Sequence, residues 1–574
     1  MLHLGLGWDR WGNFNWDSAR ELLAPRRILA GDRPWVDFEM VYGPLAYFLT
    51  AGLMKLVGQS LWVDCILYTT LILITGWCLN KVATRPLPGI SRPLLLIVWL
   101  SIFVFPPSFT LGTCLMLPYT ASGTWSGLWI ALTLLAGQQY LVQQRLNSWV
   151  LLSLLAVTAP FMCKLETSFG ITLATVILLY WKSNHNALLR LGILTLTGIV
   201  VFGVIAWASS SFITIPILVQ RVRNSIVAQG HGNPSDFPTK ATLRLTLVLT
   251  FAIAFACWSE KHAPRLRPLI PWLIGIFGSI LVSIFWVRNT LFIQVGVLLF
   301  IAPWIGIALW IYAYRHGKNP HKDLLWYHLF AILLSVRFMM DGHIFAYVFA
   351  APALLLSFFM TFSTIFSGIL PTLPLKFSFI FPFFFAWAIL AGDSLAKYRY
   401  PWIELRSAYG SFRYSCRTPL EKRQVEIWQA AADWLRSQPE AYQKTYLYSI
   451  TPGYAICFLA GMFPPQYTQN SGLLSVQLIN GKLWSPDEKF EIEHIRGHDT
   501  KFIVIDTTPI WSATLNTTRD LLHAGQISGA IYFGKDYLPE INAFIQKNYK
   551  EVQTWKDPEI SNGWSYELHI LKKK

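Results

Sequence analysis

The sequence predicts an α-helical polytopic membrane protein, with about twelve transmembrane helices and a C-terminal extracytoplasmic α/β domain. Three observations predict it. The 574 residues are 54% apolar and 15% aromatic, with only 14% charged, too apolar a mixture for a soluble chain. Apolar runs of roughly 20 residues recur between residues 61 and 392, the length needed to cross about 30 Å of hydrocarbon. From about Asp393 charged residues become frequent, and short strand-like runs alternate with helical ones, the pattern of a small α/β unit. The predicted division is 1–60, an acidic extracytoplasmic loop with juxtamembrane helices, then 61–392, the helical membrane domain, and 393–574, the α/β domain.

The formal net charge of +16 would suggest a nucleic-acid partner in a soluble protein. Here it reads as cytoplasmic loops facing anionic head groups, so membrane lipids are predicted partners and nucleic acid is not. The seven cysteines form no CxxC pair and no Cys/His ligand spacing, which gives no zinc or redox motif. Cys416 and Cys457 stay open as a pair or as two thiols.

Residues 1–15 lack the basic start and apolar core of a cleavable signal. Next comes WDSARELLAPRRILAGDRPWVDFEMVYGPLAY, Trp16 to Tyr47, too charged and too broken by Pro and Gly to cross a bilayer. It predicts a helix from Ser18 to about Ala30, a stop at Gly31, and an extended piece through Pro34 to a Gly43-Pro44 turn. Five acids lie there among aromatic residues: Asp17, Glu21, Asp32, Asp37 and Glu39. One reading makes Ser18 and Glu21 a capping box and Asp17 a cap. The other makes the stretch an acidic, aromatic-lined active-site loop beside a membrane body.

Pro44 to Gly58 is apolar but short, and is expected to lie along the interface. Candidate spans follow at about 61–80, 94–111, 122–142, 148–163, 165–181, 191–209, 241–259, 269–286, 290–313, 325–340, 344–365 and 372–392. Connections on one side carry thirteen Lys and Arg, from Lys81 to Lys376. Those on the other carry five, Lys164, Arg221, Arg223, Lys240 and Arg288. The basic excess marks the inside, so the N-terminal loop is outside, and an even number of spans returns the tail to the same side. Within the tail, the pattern predicts a helix over 421–437, strands near 445–449, 502–506 and 530–533, and helices near 516–524 and 538–548.

There is no Walker loop, GxSxG, HExxH or DxD nucleotide-sugar motif. Ionisable residues at span ends are the remaining signal, because charge inside a bilayer is costly. Lys164 and Glu166 share a turn between short spans, and either pair with each other or serve a site. Arg288 and Arg337 lie near outer span ends, where snorkelling to head groups is the plain alternative. Asp341 stands where it can neutralise Arg337.

The loop sequence WDSARELLAPRRILAGDRPWVDFEMVYGPLAYFL resembles the first extracytoplasmic loop of the GT-C class. These are multi-spanning glycosyltransferases that use polyprenyl-phosphate sugars, a superfamily that includes protein O-mannosyltransferases and aminoarabinose transferases. Asp17, Gly31, Pro34, Asp37, Phe38, Pro44 and Leu45 match that pattern, while Ser18 replaces its second acid and Pro25 interrupts the helix. The tail piece LYSITPGYAICFLAGMFPPQ is similar to a strand-turn-helix segment of the same class. Members have a spanning helix before the loop, so either this chain begins late, which is the expectation, or its N-terminus is translocated without one.

The resemblance implies a multi-pass inner-membrane enzyme that takes a sugar from a polyprenyl-phosphate donor to a glycan, lipid or protein acceptor. Asp17 would be the catalytic base, with Asp37 the second candidate. Glu21, Glu39 and Tyr42 from the loop would bind substrate, with Lys164, Arg288, Arg337 and His343 at outer span ends. No cofactor is required; some relatives hold a divalent metal with acids, and the acid-free stretch PPSFTLGTCLMLPYTASGT argues against one here. The rival readings are a transporter or lipid flippase, against which no internal repeat is visible, and a non-catalytic envelope-assembly partner.

Overall fold

The computed structural model describes residues 10–11, 18–34, 37–38, 43–87, 91–100, 121–143, 146–181, 192–201, 203, 291–316, 322–335, 346–369, 402–416, 419–442, 446–449, 454–465, 476–479, 482–484, 488–506, 530–531, 539–557 and 566–574. The described chain is mostly helical.

Helix α1, Ala19–Leu29, begins where the sequence predicts, but not by the predicted cap. Ser18 has helical φ and ψ and its side chain caps nothing, so the capping-box reading does not hold. The helix ends in a Schellman motif. The Gly31 N–H donates to the Ile28 carbonyl and the Asp32 N–H to the Arg27 carbonyl, with Gly31 at φ 92° as that geometry requires. Helix α2, Pro44–Val57, starts with Pro44 at a position where a missing N–H costs nothing. Helix α3, Leu61–Ala83, starts at Ser60, whose hydroxyl accepts from the Trp62 N–H at 3.3 Å.

Among the described residues, α3 is the one helix long and apolar enough to cross a membrane. Trp62, Ile66, Leu73 and Trp77 form an outward stripe on it, each more than half exposed. An outward apolar stripe of this kind marks a face for a membrane or a protein partner. Around α3 stand α4 (Ser91–Val98), α5 (Ala121–Gln143), α6 (Leu146–Met162) and α7 (Leu165–Trp181). They are joined by α8 (Leu291–Arg315), α9 (Lys322–Leu334) and α10 (Ala346–Ile369). Shorter apolar helices include Gly192–Val201. Helix α5 packs on α3, α6 and α10, and α9 on α7, α8 and α10, around one apolar core. Glycines set the closest approaches: Gly137 under the Trp326 ring, and Gly306 under the His328 ring.

The tail is mixed. Strands β2 (Trp402–Ser407) and β3 (Gly410–Ser415) form a hairpin, and β1 (Arg10–Trp11) adds to β3 in parallel, in the order β1-β3-β2. A second sheet has the order β4-β7-β10-β9, with β4 at Leu447–Ser449, β7 at Phe502–Asp506, β9 at Tyr549–Asp557 and β10 at Tyr566–Lys573. Strand β4 is parallel to β7; β10 is antiparallel to β7 and β9. Alternation along β7 sends Phe502 and Val504 into the core shared with α11 (Pro419–Arg436) and α12 (Ala455–Ala460). Ile503 points to the other face, against α13 (Glu488–Gly497) and α14 (Pro539–Asn548). A small third sheet has the order β6-β5-β8, with β5 at Val476–Ile479, β6 at Lys482–Trp484 and β8 at Ala530–Ile531.

The predicted helix over 421–437 and strand at 502–506 are found within two residues. Helices α4–α10 cover all or part of the spans expected at 94–111, 122–142, 148–163, 165–181, 290–313, 325–340 and 344–365. The expected spans at 241–259, 269–286 and 372–392, and the helix near 516–524, lie outside the described residues. Cys416 and Cys457 are separate buried thiols.

Helix α1 lies at the junction of these parts. Ala19, Leu22 and Leu23 join the core shared with the tail, together with Leu61 and Cys65 of α3, while Ala24 joins the core of the helical body.

Candidate functional site

Three arginines of α1 are buried, Arg20, Arg26 and Arg27, and each has a carboxylate partner. Buried guanidinium groups of this kind persist only when paired and hydrogen-bonded. Arg26 faces the helical body. Its Nη2 lies 2.7 Å from Asp64 Oδ2, in the first turn of α3, and 2.9 Å from the Gln59 carbonyl. Its Nη1 donates to the Leu22 carbonyl at 2.6 Å. The same guanidinium lies over the Tyr409 ring at the hairpin tip, 4.4 Å away, and near the Phe458 ring of α12.

Arg27 turns toward the acidic loop. Its Nε donates to Asp32 Oδ2 at 2.8 Å, its Nη2 to the Asp37 carbonyl at 3.3 Å, and it covers the Phe38 ring at 4.3 Å. The other oxygen of Asp32 accepts from the Tyr446 hydroxyl at 2.6 Å, which brings in the tail. The His498 ring lies 4.5 Å from that of Tyr446. Burial, and then the hydrogen bond to Asp32, push the Tyr446 phenol well up, so it stays a donor.

Glu21, read as a possible cap, instead accepts from the Tyr47 hydroxyl at 2.6 Å and pairs with Arg20 at 3.2 Å. It ties α1 to α2. Asp37 sits in a turn closed by Arg33, whose backbone N–H and guanidinium all donate to it. Burial alone would raise the Asp37 carboxyl, but the bonds and charge of Arg33 outweigh it and hold it below the usual carboxylate range. Asp37 is thus held within that turn by Arg33.

Lys164 is buried in the turn between α6 and α7, and its N–H donates to Ser126 of α5 at 3.2 Å. Gly43, where the loop enters α2, packs directly on the backbone just before it. A Cβ at Gly43 would lie 2.5 Å from the Phe161 carbonyl carbon and oxygen and 2.8 Å from the Met162 nitrogen. Two predicted parts thus meet, the end of the acidic loop and the lysine turn. Asp17, Glu39, Tyr42, Arg288, Arg337 and His343 lie outside the described residues.

Each described loop acid has partners: Glu21 has Tyr47 and Arg20, Asp32 has Arg27 and Tyr446, and Asp37 has Arg33. What the junction supplies is a rigid, charge-balanced mount for the loop. No group of three or more His, Cys, Asp or Glu among the described residues is arranged to hold a metal ion. Arg26, Arg27, Asp64 and Tyr446 were not among the residues expected from the sequence. A lone acid opening the first apolar span was a usable signal for Asp64. Nothing local marks Tyr446. No protein-family model matches the chain, and no curated protein matches it.

Proposed function

We propose that the protein is a membrane glycosyltransferase that moves a sugar from a polyprenyl-phosphate donor to an envelope glycan, lipid or protein. The observation that carries the reading is the mount itself. An acidic loop is braced by buried arginines, seated against a buried lysine turn of the helical body, and tied to a mixed α/β tail. A membrane body of about twelve spans, in the same reading, lets the donor lipid lie in the bilayer with its phosphate at head-group depth. Pairing of β1 with β3 supports a shared side for the N-terminal loop and the tail, as an even span count requires.

The chemistry is one inverting displacement. An acceptor oxygen attacks the anomeric carbon, the bond from that carbon to the phosphate oxygen breaks, and the lipid phosphate leaves with the electron pair. Asp17 takes the acceptor proton, a role worth about 10²–10⁴-fold. Lys164, with Arg288 and Arg337, meets the charge that develops on the phosphate. Glu21, Glu39, Tyr42 and His343 complete the substrate-binding set, with Asp37 the reserve base. No cofactor is required by this chemistry, and a divalent metal is compatible with it.

The test is transfer in proteoliposomes from a panel of polyprenyl-phosphate sugars to envelope acceptors, with release of the lipid phosphate as readout. Release that depends on acceptor supports the reading. Movement of the lipid between leaflets with no sugar transferred would replace it by a flippase.

A further inference from the structure

We propose that Tyr446 is a positioning residue through which the tail holds the acidic loop in register, a proposal that rests on the glycosyl-transfer reading. The chain of contacts is continuous, and buried up to its last bond. The Tyr446 hydroxyl donates to Asp32 Oδ1 at 2.6 Å, Asp32 Oδ2 accepts from Arg27 Nε at 2.8 Å, and Arg27 Nη2 donates to the Asp37 carbonyl at 3.3 Å. Arg27 is fully buried and Asp32 is 4% exposed, so water does not compete for the first two bonds, while the third is partly buried. Four groups thus link the first strand of the tail's sheet to the loop turn at Asp37 and Phe38.

Both ends of the chain are firmly held. Tyr446 immediately precedes β4, its backbone bridges to Phe463, and its ring stands between those of Phe463 and His498. At the other end the Arg27 guanidinium covers the Phe38 ring, and Asp32 closes the Schellman turn of α1. The Asp32 carboxylate is shared between the loop's own arginine and a tyrosine that lies 414 positions away in the chain. A carboxylate divided in this way transmits the position of the tail to the loop. Remove the phenol oxygen, and Asp32 and Arg27 remain paired while the loop loses this link to the sheet.

The experiment is hydrogen–deuterium exchange of residues 31–47 in the full chain in lipid nanodiscs, without substrate. Wild type, Tyr446→Phe, Asp32→Asn and the double variant are compared. Tyr446→Phe loses a buried hydrogen bond to a charged group, so exchange in the loop should quicken about 10- to 100-fold, and Asp32→Asn, which also strands Arg27, should quicken it at least as much. The double variant should add little to Asp32→Asn, because the charged acceptor of the phenol is then already gone. Tyr549→Phe is the control, since its hydroxyl donates to the Thr500 carbonyl elsewhere in the tail. It should leave the loop unchanged.

Sugar transfer should fall in kcat for Tyr446→Phe with the donor KM nearly constant, a split that general loosening would not give. Unchanged loop exchange in Tyr446→Phe, or equal opening by Tyr549→Phe, overturns the proposal. Should Tyr446→Phe fail to fold, Asp32→Asn tests the link from the other side. Exchange is read without turnover, so a loop that opens in a protein that transfers no sugar refutes the glycosyl-transfer reading and leaves the clamp standing.

Discussion

Asp64→Asn tests the ion pair that fastens α1 to the helical body. Both side chains are shut away from solvent, Arg26 at 0% and Asp64 at 1%, with 2.7 Å between Nη2 and Oδ2. Removing one partner of such a pair leaves a buried charge uncompensated and costs about 3–5 kcal/mol. Arg26 keeps its bonds to the Leu22 and Gln59 carbonyls and its place over Tyr409, contacts that soften the loss. The lower end of that range, about 3 kcal/mol, is therefore expected. Replacing both by apolar residues of similar size, Arg26→Met with Asp64→Leu, should cost less than either single change, because no charge is then stranded. The assay is denaturant unfolding of the purified chain in detergent, reading midpoint and slope for the two singles and the double. A cost below about 1 kcal/mol for Asp64→Asn, or a double equal to the sum of its singles, would refute the buried-pair account.

Two further outcomes follow from other parts of the junction. Gly43→Ala should lower both transfer and thermal stability, since its Cβ would meet the backbone before Lys164. Gly52→Ala in the same helix, with nothing within 4 Å, should do neither; equal behaviour of the two variants in a melting and transfer assay would remove the role given to that contact. Burial, joined by the charge of Arg27, holds the His498 imidazole below its ordinary 6.5, so the unfolded chain takes up this proton first. Stability should be fully present above that value and fall as pH drops below it toward the depressed folded value. Unfolding midpoints at about pH 7.5 and 5.5 should differ more in wild type than in His498→Asn; an unchanged difference would contradict it.

What was legible in the sequence was local. Gly31 ended α1 as read because only its backbone freedom suits the left-handed turn there. Pro44 started α2, and the alternating run Phe502–Asp506 formed β7. The capping box was a sound local reading that failed for a tertiary reason, since Tyr47, on the next helix, draws the Glu21 carboxylate away from the helix end. The strands β9 and β10 escaped notice because they carry charge on both faces; Lys556 pairs with Glu567 across the two strands, which no periodicity shows. Nothing next to Arg26 and Arg27 in the chain marks them as buried. Their partners, Asp64 and Tyr446, come from distant parts of the chain, and only the packing of body and tail on either side of α1 makes them buried.

Asp17 is the proposed base of the glycosyl transfer, and Asp17→Asn probes that role without disturbing the loop's shape. Asparagine keeps the shape and the capping capacity of aspartate but cannot take the acceptor proton. Transfer from a polyprenyl-phosphate sugar should fall by about 10²-fold or more, with expression and melting temperature nearly constant. Full activity in Asp17→Asn with loss in Asp37→Asn would move the base to Asp37. Full activity in Asp17→Asn, Asp37→Asn and Glu21→Gln alike would contradict the account.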